Sequence, residues 1–194
     1  MSDKTTRENI VAAADQLFYQ QGYEHTSFTD IADSVKISRG NFYYHFKTKD
    51  NILQAVIELR LDNTQKMLAH WENEHAHPTD RIKSYIHILL TNWSKIQYFG
   101  CPVGTLCTEL TKLNHVSKEE ASKVFTLFRN WLREQFILLG LNKDADELAM
   151  HVLSWSQGVA TLASTFREQA FVKKEVKKMC DWLDSITSPT TSQK

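Results

Sequence analysis

Between Thr26 and Phe46 the chain carries two short amphipathic stretches joined by four residues, and this pair constrains everything around it. In the first, Phe28, Ile31, Ala32 and Val35 fall at i, i+3, i+4 and i+7, on one side of a helix. Ser27-x-x-Asp30 has capping-box spacing, with Asp30 in place of the usual Glu or Gln. In the second, Ser38 can cap the helix, and Phe42 and Phe46 share a face at i, i+4. Arg39, Asn41, Tyr43 and Tyr44 are then left pointing outward. A helix this short does not hold itself together in water. Two buried rings anchoring a helix whose other side is Arg, Asn and Tyr imply an element built to present that side, which is the logic of a helix-turn-helix that reads DNA.

The remaining chain fits helices nearly throughout. Among 194 residues there are only 6 Gly and 3 Pro, and alternating β-branched runs are rare. A 42% hydrophobic content is enough for one large or two small globular domains. No apolar run is long enough to cross a bilayer and no signal peptide opens the sequence, so the expectation is a cytoplasmic protein without a membrane partner. The 3 cysteines are expected as reduced thiols. The net charge is zero, so any argument for a nucleic-acid partner must be local. From Ser34 to Lys49 stand Lys36, Arg39, Lys47 and Lys49 with no acid among them. That patch reads either as a small phosphate footprint repeated by a dimer or as a solvated charged segment.

Around this pair, residues 4–21 read as a helix with the stripe Ile10, Ala13, Ala14, Leu17 and Phe18, stopped by Gly22. Three helices closing on Leu17, Phe18, Ile31, Val35, Phe42 and Phe46 make a core too small to stand alone, so the head needs support from later residues. Thr48 or Asp50 can cap the next helix, which carries Ile52, Leu53, Val56, Ile57 and Leu61 towards Trp71. The polar break over 72–79, with His70, His75, His77, Glu72 and Glu74 in and beside it, reads as an exposed loop or as a metal site. No cysteine joins it, and no metal is expected. Further helices are expected over 81–99, from Pro102 to Leu113, from Ser117 to about Leu139, over 144–168 and over 172–186. Ser156, Ala160 and Ser164 recur every four residues, a small-residue stripe that lets a second helix come close. Val176, Met179 and Leu183 supply the apolar side of the last helix, and residues 189–194 are expected to be a disordered tail.

The run Ile10-x-x-Ala13-Ala14-x-x-Leu17-Phe18, Gly22-Tyr23, Thr26-Ser27, Asp30-Ile31-Ala32, Ser38 to Phe46 and Lys49-Asp50 resembles the N-terminal part of TetR-type transcriptional regulators, over roughly residues 5–58. The resemblance implies an all-α protein of about nine helices. A three-helix DNA-binding head would occupy residues 1–48, and a ligand-binding and dimerisation domain residues 49–188. It implies a homodimer built from the last two long helices, a palindromic double-stranded operator, and a small-molecule effector that releases it. Carried over by position, Arg39, Gly40, Asn41, Tyr43, Tyr44 and His45 lie against DNA. Arg39 and Asn41 are the base readers, since guanidinium and amide groups bond base edges in the major groove. Thr26, Ser27, Tyr43, Tyr44 and Lys49 look like phosphate contacts. His45 is either a phosphate contact or a support for Phe46. The dimer face implied is Ser156, Ala160, Ser164, Val176, Met179 and Leu183. One departure stands out. Lys36 occupies a turn position where such regulators usually carry glycine, and a left-handed Lys costs roughly 1 kcal/mol. The strain is tolerable if Lys36 adds a phosphate contact.

Gly100-Cys101-Pro102-Val103-Gly104-x-Leu106 is similar to a segment of one branch of the family, the N-ethylmaleimide-reductase repressors, in which a cysteine senses electrophiles. Cys101 would sit at a helix start, where backbone N–H groups favour a thiolate, or would be a plain apolar cap. Trp93, Cys101, Cys107, Phe128, Trp131 and Trp155 either line a pocket for an apolar or electrophilic effector or pack the core. No cofactor is implied. No Ser-His-Asp order, phosphate loop or paired-carboxylate site points to an enzyme. Only the habit of the family favours a repressor over an activator.

Overall fold

The computed structural model describes residues 5–188, so Lys4 and the tail expected over 189–194 lie outside the described residues. Ten α-helices and no strand occur among them. They gather into two compact units. Among the described residues, the first holds residues 5–64 together with Pro102–Val124, and the second holds Gln65–Cys101 and residues 125–188.

The first unit begins with α1 (Thr6–Gln21), which starts two residues later than its stripe suggests because Thr5 caps it. The Thr5 hydroxyl accepts from Glu8 N, and the Glu8 carboxylate accepts from Thr5 N at 2.7 Å. Gly22 ends it at φ 90°, a conformation costly for any residue with a Cβ. Then come α2 (Phe28–Val35), α3 (Arg39–His45) and α4 (Lys49–Glu74), whose residues through Thr64 belong here. Thr48 caps α4, its hydroxyl accepting from Asn51 N at 3.1 Å. Two later pieces complete the unit: α7 (Pro102–Lys112) and the start of α8 (Lys118–Leu138). Leu106 and Leu110 of α7 join Ile10, Phe18, Ile31, Phe42 and Phe46 in one buried cluster. A three-helix head is too small to bury its own apolar face, and these residues supply the missing wall.

The second unit contains α5 (Pro78–Thr91), α6 (Trp93–Phe99), α9 (Ala145–Phe166) and α10 (Gln169–Thr187), with the later parts of α4 and α8. The single helix expected over 81–99 is two. Asn92 turns its side-chain amide back onto the Ile88 carbonyl at 3.0 Å and leaves helical geometry at ψ 15°, and α6 restarts at Trp93. This break puts the count above the expected nine. The polar break also begins later than expected, since Glu72–Glu74 complete the last turn of α4.

Five of the six residues expected at a dimer face are buried within the chain itself. Val176, Met179 and Leu183 are buried on α10, which packs against α5 and α9. Ser156 is 3% exposed and shares a hydrogen bond of 2.9 Å with the Tyr85 hydroxyl of α5; Ala160 is 1% exposed. Ser164 is half-buried, and its hydroxyl donates to the Thr161 carbonyl. The small residues do admit a close neighbour, but the neighbours are this chain's own helices. Leu162 and Phe166 of α9 are 43% and 63% exposed.

Candidate nucleic-acid interface

α3 is a seven-residue helix held by its ends and one ring. The Ser38 hydroxyl accepts from Asn41 N at 3.3 Å, and Lys47 Nζ donates to the Tyr43 carbonyl at 2.6 Å in the last turn. Phe42 is 1% exposed, its ring edge-on to Phe28 at 4.6 Å. Phe46 lies just beyond the helix, extended and buried. Three residues, Lys36 to Ser38, separate α3 from α2, one fewer than the sequence suggests. Ser27 and Asp30 form the expected capping box, and the Ser27 backbone N–H donating to Asp30 holds that carboxyl below its usual range.

Lys36 sits in the left-handed region at φ 55°, ψ 40°, which settles the geometry of the departure noted above. Replacing it relieves that strain while deleting a cation beside the reading face. Lys36→Gly is expected to raise stability by about 0.5–1 kcal/mol, read as a higher melting temperature. It is also expected to weaken DNA binding equally for all sequences, with a shallower salt dependence. A stability loss in the variant would contradict the strain argument.

The outward side of α3 is as its sequence implies. Arg39, Gly40, Asn41, Tyr43 and Tyr44 are all exposed, Tyr44 to 79%. Tyr43 leans on Phe28 at 5.1 Å, and His45 is half-buried with its ring edge-on to Tyr44. Arg39 and Tyr43 rim a cleft of about 110 Å³ over Phe28, Ala32 and Phe42. Ser27 and Lys36 are also exposed.

Two residues expected at phosphates also bond within the chain. Thr26 is fully buried, and its hydroxyl donates to the Gly22 carbonyl at 2.6 Å, so it braces the α1–α2 joint and has no surface to offer. Lys49 is half-buried; its ammonium donates to the Tyr23 carbonyl at 3.0 Å and sits 4.2 Å over the Tyr23 ring.

The residues expected around an effector divide between the units. Cys107 is in the first, on a void of about 10 Å³ that has room for little more than one water. Trp93, Cys101, Phe128, Trp131 and Trp155 are in the second. Two of these are committed to packing: Phe128 lies edge-on to Tyr85 at 5.2 Å, and Trp131 Nε1 donates to Glu72 Oε1 at 2.8 Å. Trp93, Cys101 and Trp155 are half-buried. Burial pushes the Cys180 thiol up, which keeps it protonated and unreactive. His75 pairs with Glu74 and Ser84, His77 caps α5, and no metal-holding group of His, Cys, Asp and Glu occurs among the described residues.

Residues 10–56, which contain this whole arrangement, match the profile of the bacterial regulatory proteins of the tetR family. Residues 78–176 match the C-terminal domain of LmrA/YxaF-like transcriptional regulators, so half of the chain is covered by that profile alone. The chain belongs to the TetR family. TetR-family proteins are helix-turn-helix transcriptional regulators that bind DNA, not enzymes. An HTH-type transcriptional regulator in the lacX 3' region of Lactococcus lactis subsp. lactis is 30% identical over 138 residues, 70% of each chain. The transcriptional regulator QacR of Staphylococcus aureus is 30% identical over 115 residues, 58% of this chain and 60% of its own. A solved TetR regulator from Legionella pneumophila has a TM-score of 0.83 at 26% identity, over 96% of this chain and 99% of that one. E. coli NemR in its reduced form has the same fold, with a TM-score of 0.76 at 18% identity over 90% and 95%. That identity supports no closer tie to the electrophile-sensing branch. No described helix is long and apolar enough to cross a membrane.

Proposed function

We propose that this TetR-family regulator is a repressor that binds a palindromic operator as a homodimer and leaves it when a small molecule binds. One observation carries the DNA half of the reading. α3 buries Phe42 and exposes Arg39, Gly40, Asn41, Tyr43 and Tyr44 together. Arg39 and Asn41 read base edges; Ser27, Lys36, Tyr43 and Tyr44 meet phosphates, with His45 at the margin. Residues 1–48 supply the reading surface, and residues 49–188 supply dimerisation and effector binding. Helix α7 nevertheless belongs structurally with the head.

The dimer face lies on the side of α9 that its own chain leaves bare. Met150, Leu162 and Phe166 are 41%, 43% and 63% exposed there, and Ser154 and Gly158 lie along the same side. Trp182 of α10 extends it, its ring 4.6 Å from His151. Repression is favoured by the names of relatives, among them the repressor DhaR of Mycobacterium and the negative regulator IcaR of Staphylococcus aureus. For the effector, the half-buried Trp93, Cys101 and Trp155 of the second unit are the candidate contacts for an apolar or electrophilic molecule.

The effector half is tested with a thermal-shift screen followed by DNA release. A compound bound at a hundred times its Kd stabilises the folded form by about 2.7 kcal/mol. The expected result is that such a compound also frees a duplex selected by the protein. Stabilising compounds that leave every complex intact would contradict effector-driven release.

A further inference from the structure

The joint between α1 and α2 is held by a residue 85 positions further along the chain. The Glu109 carboxylate of α7 accepts from Tyr23 N and from Glu24 N, each at 2.9 Å, one oxygen to each amide. These amides follow the C-cap Gly22, where the chain leaves helical geometry. The fit is close: a Cβ on Gly22 would stand 2.9 Å from Glu109 Oε1.

The rest of α7 is equally tied to the head. Arg60 donates Nη1 to the Pro102 carbonyl at 2.5 Å and Nε to Asp15 of α1 at 2.6 Å. After α7, the His115 ring stands edge-on to Tyr23 at 5.1 Å, with Nε2 3.6 Å from Asp50. The Tyr23 hydroxyl donates to Asp50. Tyr23 is thus gripped on its amide by α7, on its hydroxyl by α4 and on its ring by the turn after α7.

From this geometry we propose that Glu109 is a positioning residue for DNA reading. Its carboxylate sets the direction in which the chain leaves Gly22, and α2 and α3 follow that direction. A carboxylate suits this task because its two oxygens take both amides as charge-assisted bonds. An amide in its place offers one acceptor and turns an NH₂ towards the other N–H. The inference rests on the reading of α3 as the DNA-facing helix. It goes beyond that reading by making a side chain outside the helix-turn-helix determine how well the helix discriminates sequence.

The test uses the full-length protein, a duplex that it selects from a random library, and a scrambled duplex of equal length. Glu109→Gln keeps the volume of the side chain, and Glu109→Ala removes it. For Glu109→Gln the expected result is about a tenfold loss of affinity for the selected duplex, the factor that 1.4 kcal/mol represents. Affinity for the scrambled duplex is expected to be undiminished, because Lys36 and the other phosphate-facing groups are untouched. Exchange of the Tyr23 and Glu24 amides is expected to speed up. A merely structural role would weaken both duplexes in parallel. Parallel loss, or unchanged affinity for the selected duplex, overturns the proposal. Arg39→Ala serves as the control. If it too leaves selected binding unchanged, the DNA-facing assignment of α3 fails first; if it abolishes binding while Glu109→Gln does nothing, only the positioning role fails.

Discussion

Replacing Arg39 and Asn41 together by Ala is expected to abolish sequence-specific DNA binding while leaving fold and oligomeric state intact. Both side chains are exposed, so no core contact is lost. A good pairing of guanidinium or amide with a base edge is worth about 1–3 kcal/mol of discrimination. With two such groups in each of two subunits, specific affinity should fall on the order of a thousandfold or more. Non-specific binding should fall much less, because only Arg39 carries charge. Fluorescence anisotropy with selected and scrambled duplexes reads both numbers. Equal losses on the two duplexes would mean that these residues position the protein without reading sequence.

Gly158→Trp is expected to split the dimer. The structure leaves open space at this glycine, with nothing within 4 Å of where a Cβ would stand, so the monomer can accept a large side chain. An indole on the bare side of α9 would keep a second α9 from packing there. Sedimentation should move from twice 22.5 kDa to 22.5 kDa with an unchanged helical spectrum. Operator affinity should fall roughly 10²- to 10⁴-fold, since two linked heads bind far more tightly than either alone. A variant that stays dimeric would place the interface elsewhere.

Much of the reading head was legible because its signals are local. The Ser27–Asp30 box and the Ser38 cap each span four residues and form as spaced; Phe42 and Phe46 are both buried, although Phe46 lies past the helix end. What misled was chemistry with two uses. A threonine hydroxyl can meet a phosphate or satisfy a carbonyl of its own chain, and Thr26 does the latter. Small residues every four positions admit a close helix without saying whose; Ser156 and Ala160 admit neighbours from the same chain. The apolar period from Ile82 to Ile96 runs on through Asn92, so the break there left only a side-chain amide as its sign. Glu109 had no local sign at all. Its partners are 85 and 86 residues away, and a lone acid on a short helix looks like any solvated one.

The most direct measurement is methylation interference on a selected duplex. Dimethyl sulfate marks guanine N7 in the major groove and adenine N3 in the minor groove, and the two report separately on which groove is read. The expected result is that N7 methylation blocks binding at symmetric positions in both half-sites, and that the block at those positions disappears in Arg39→Ala. Interference confined to adenine N3, or an N7 pattern unchanged in Arg39→Ala, would contradict the claim that the outward side of α3 enters the major groove.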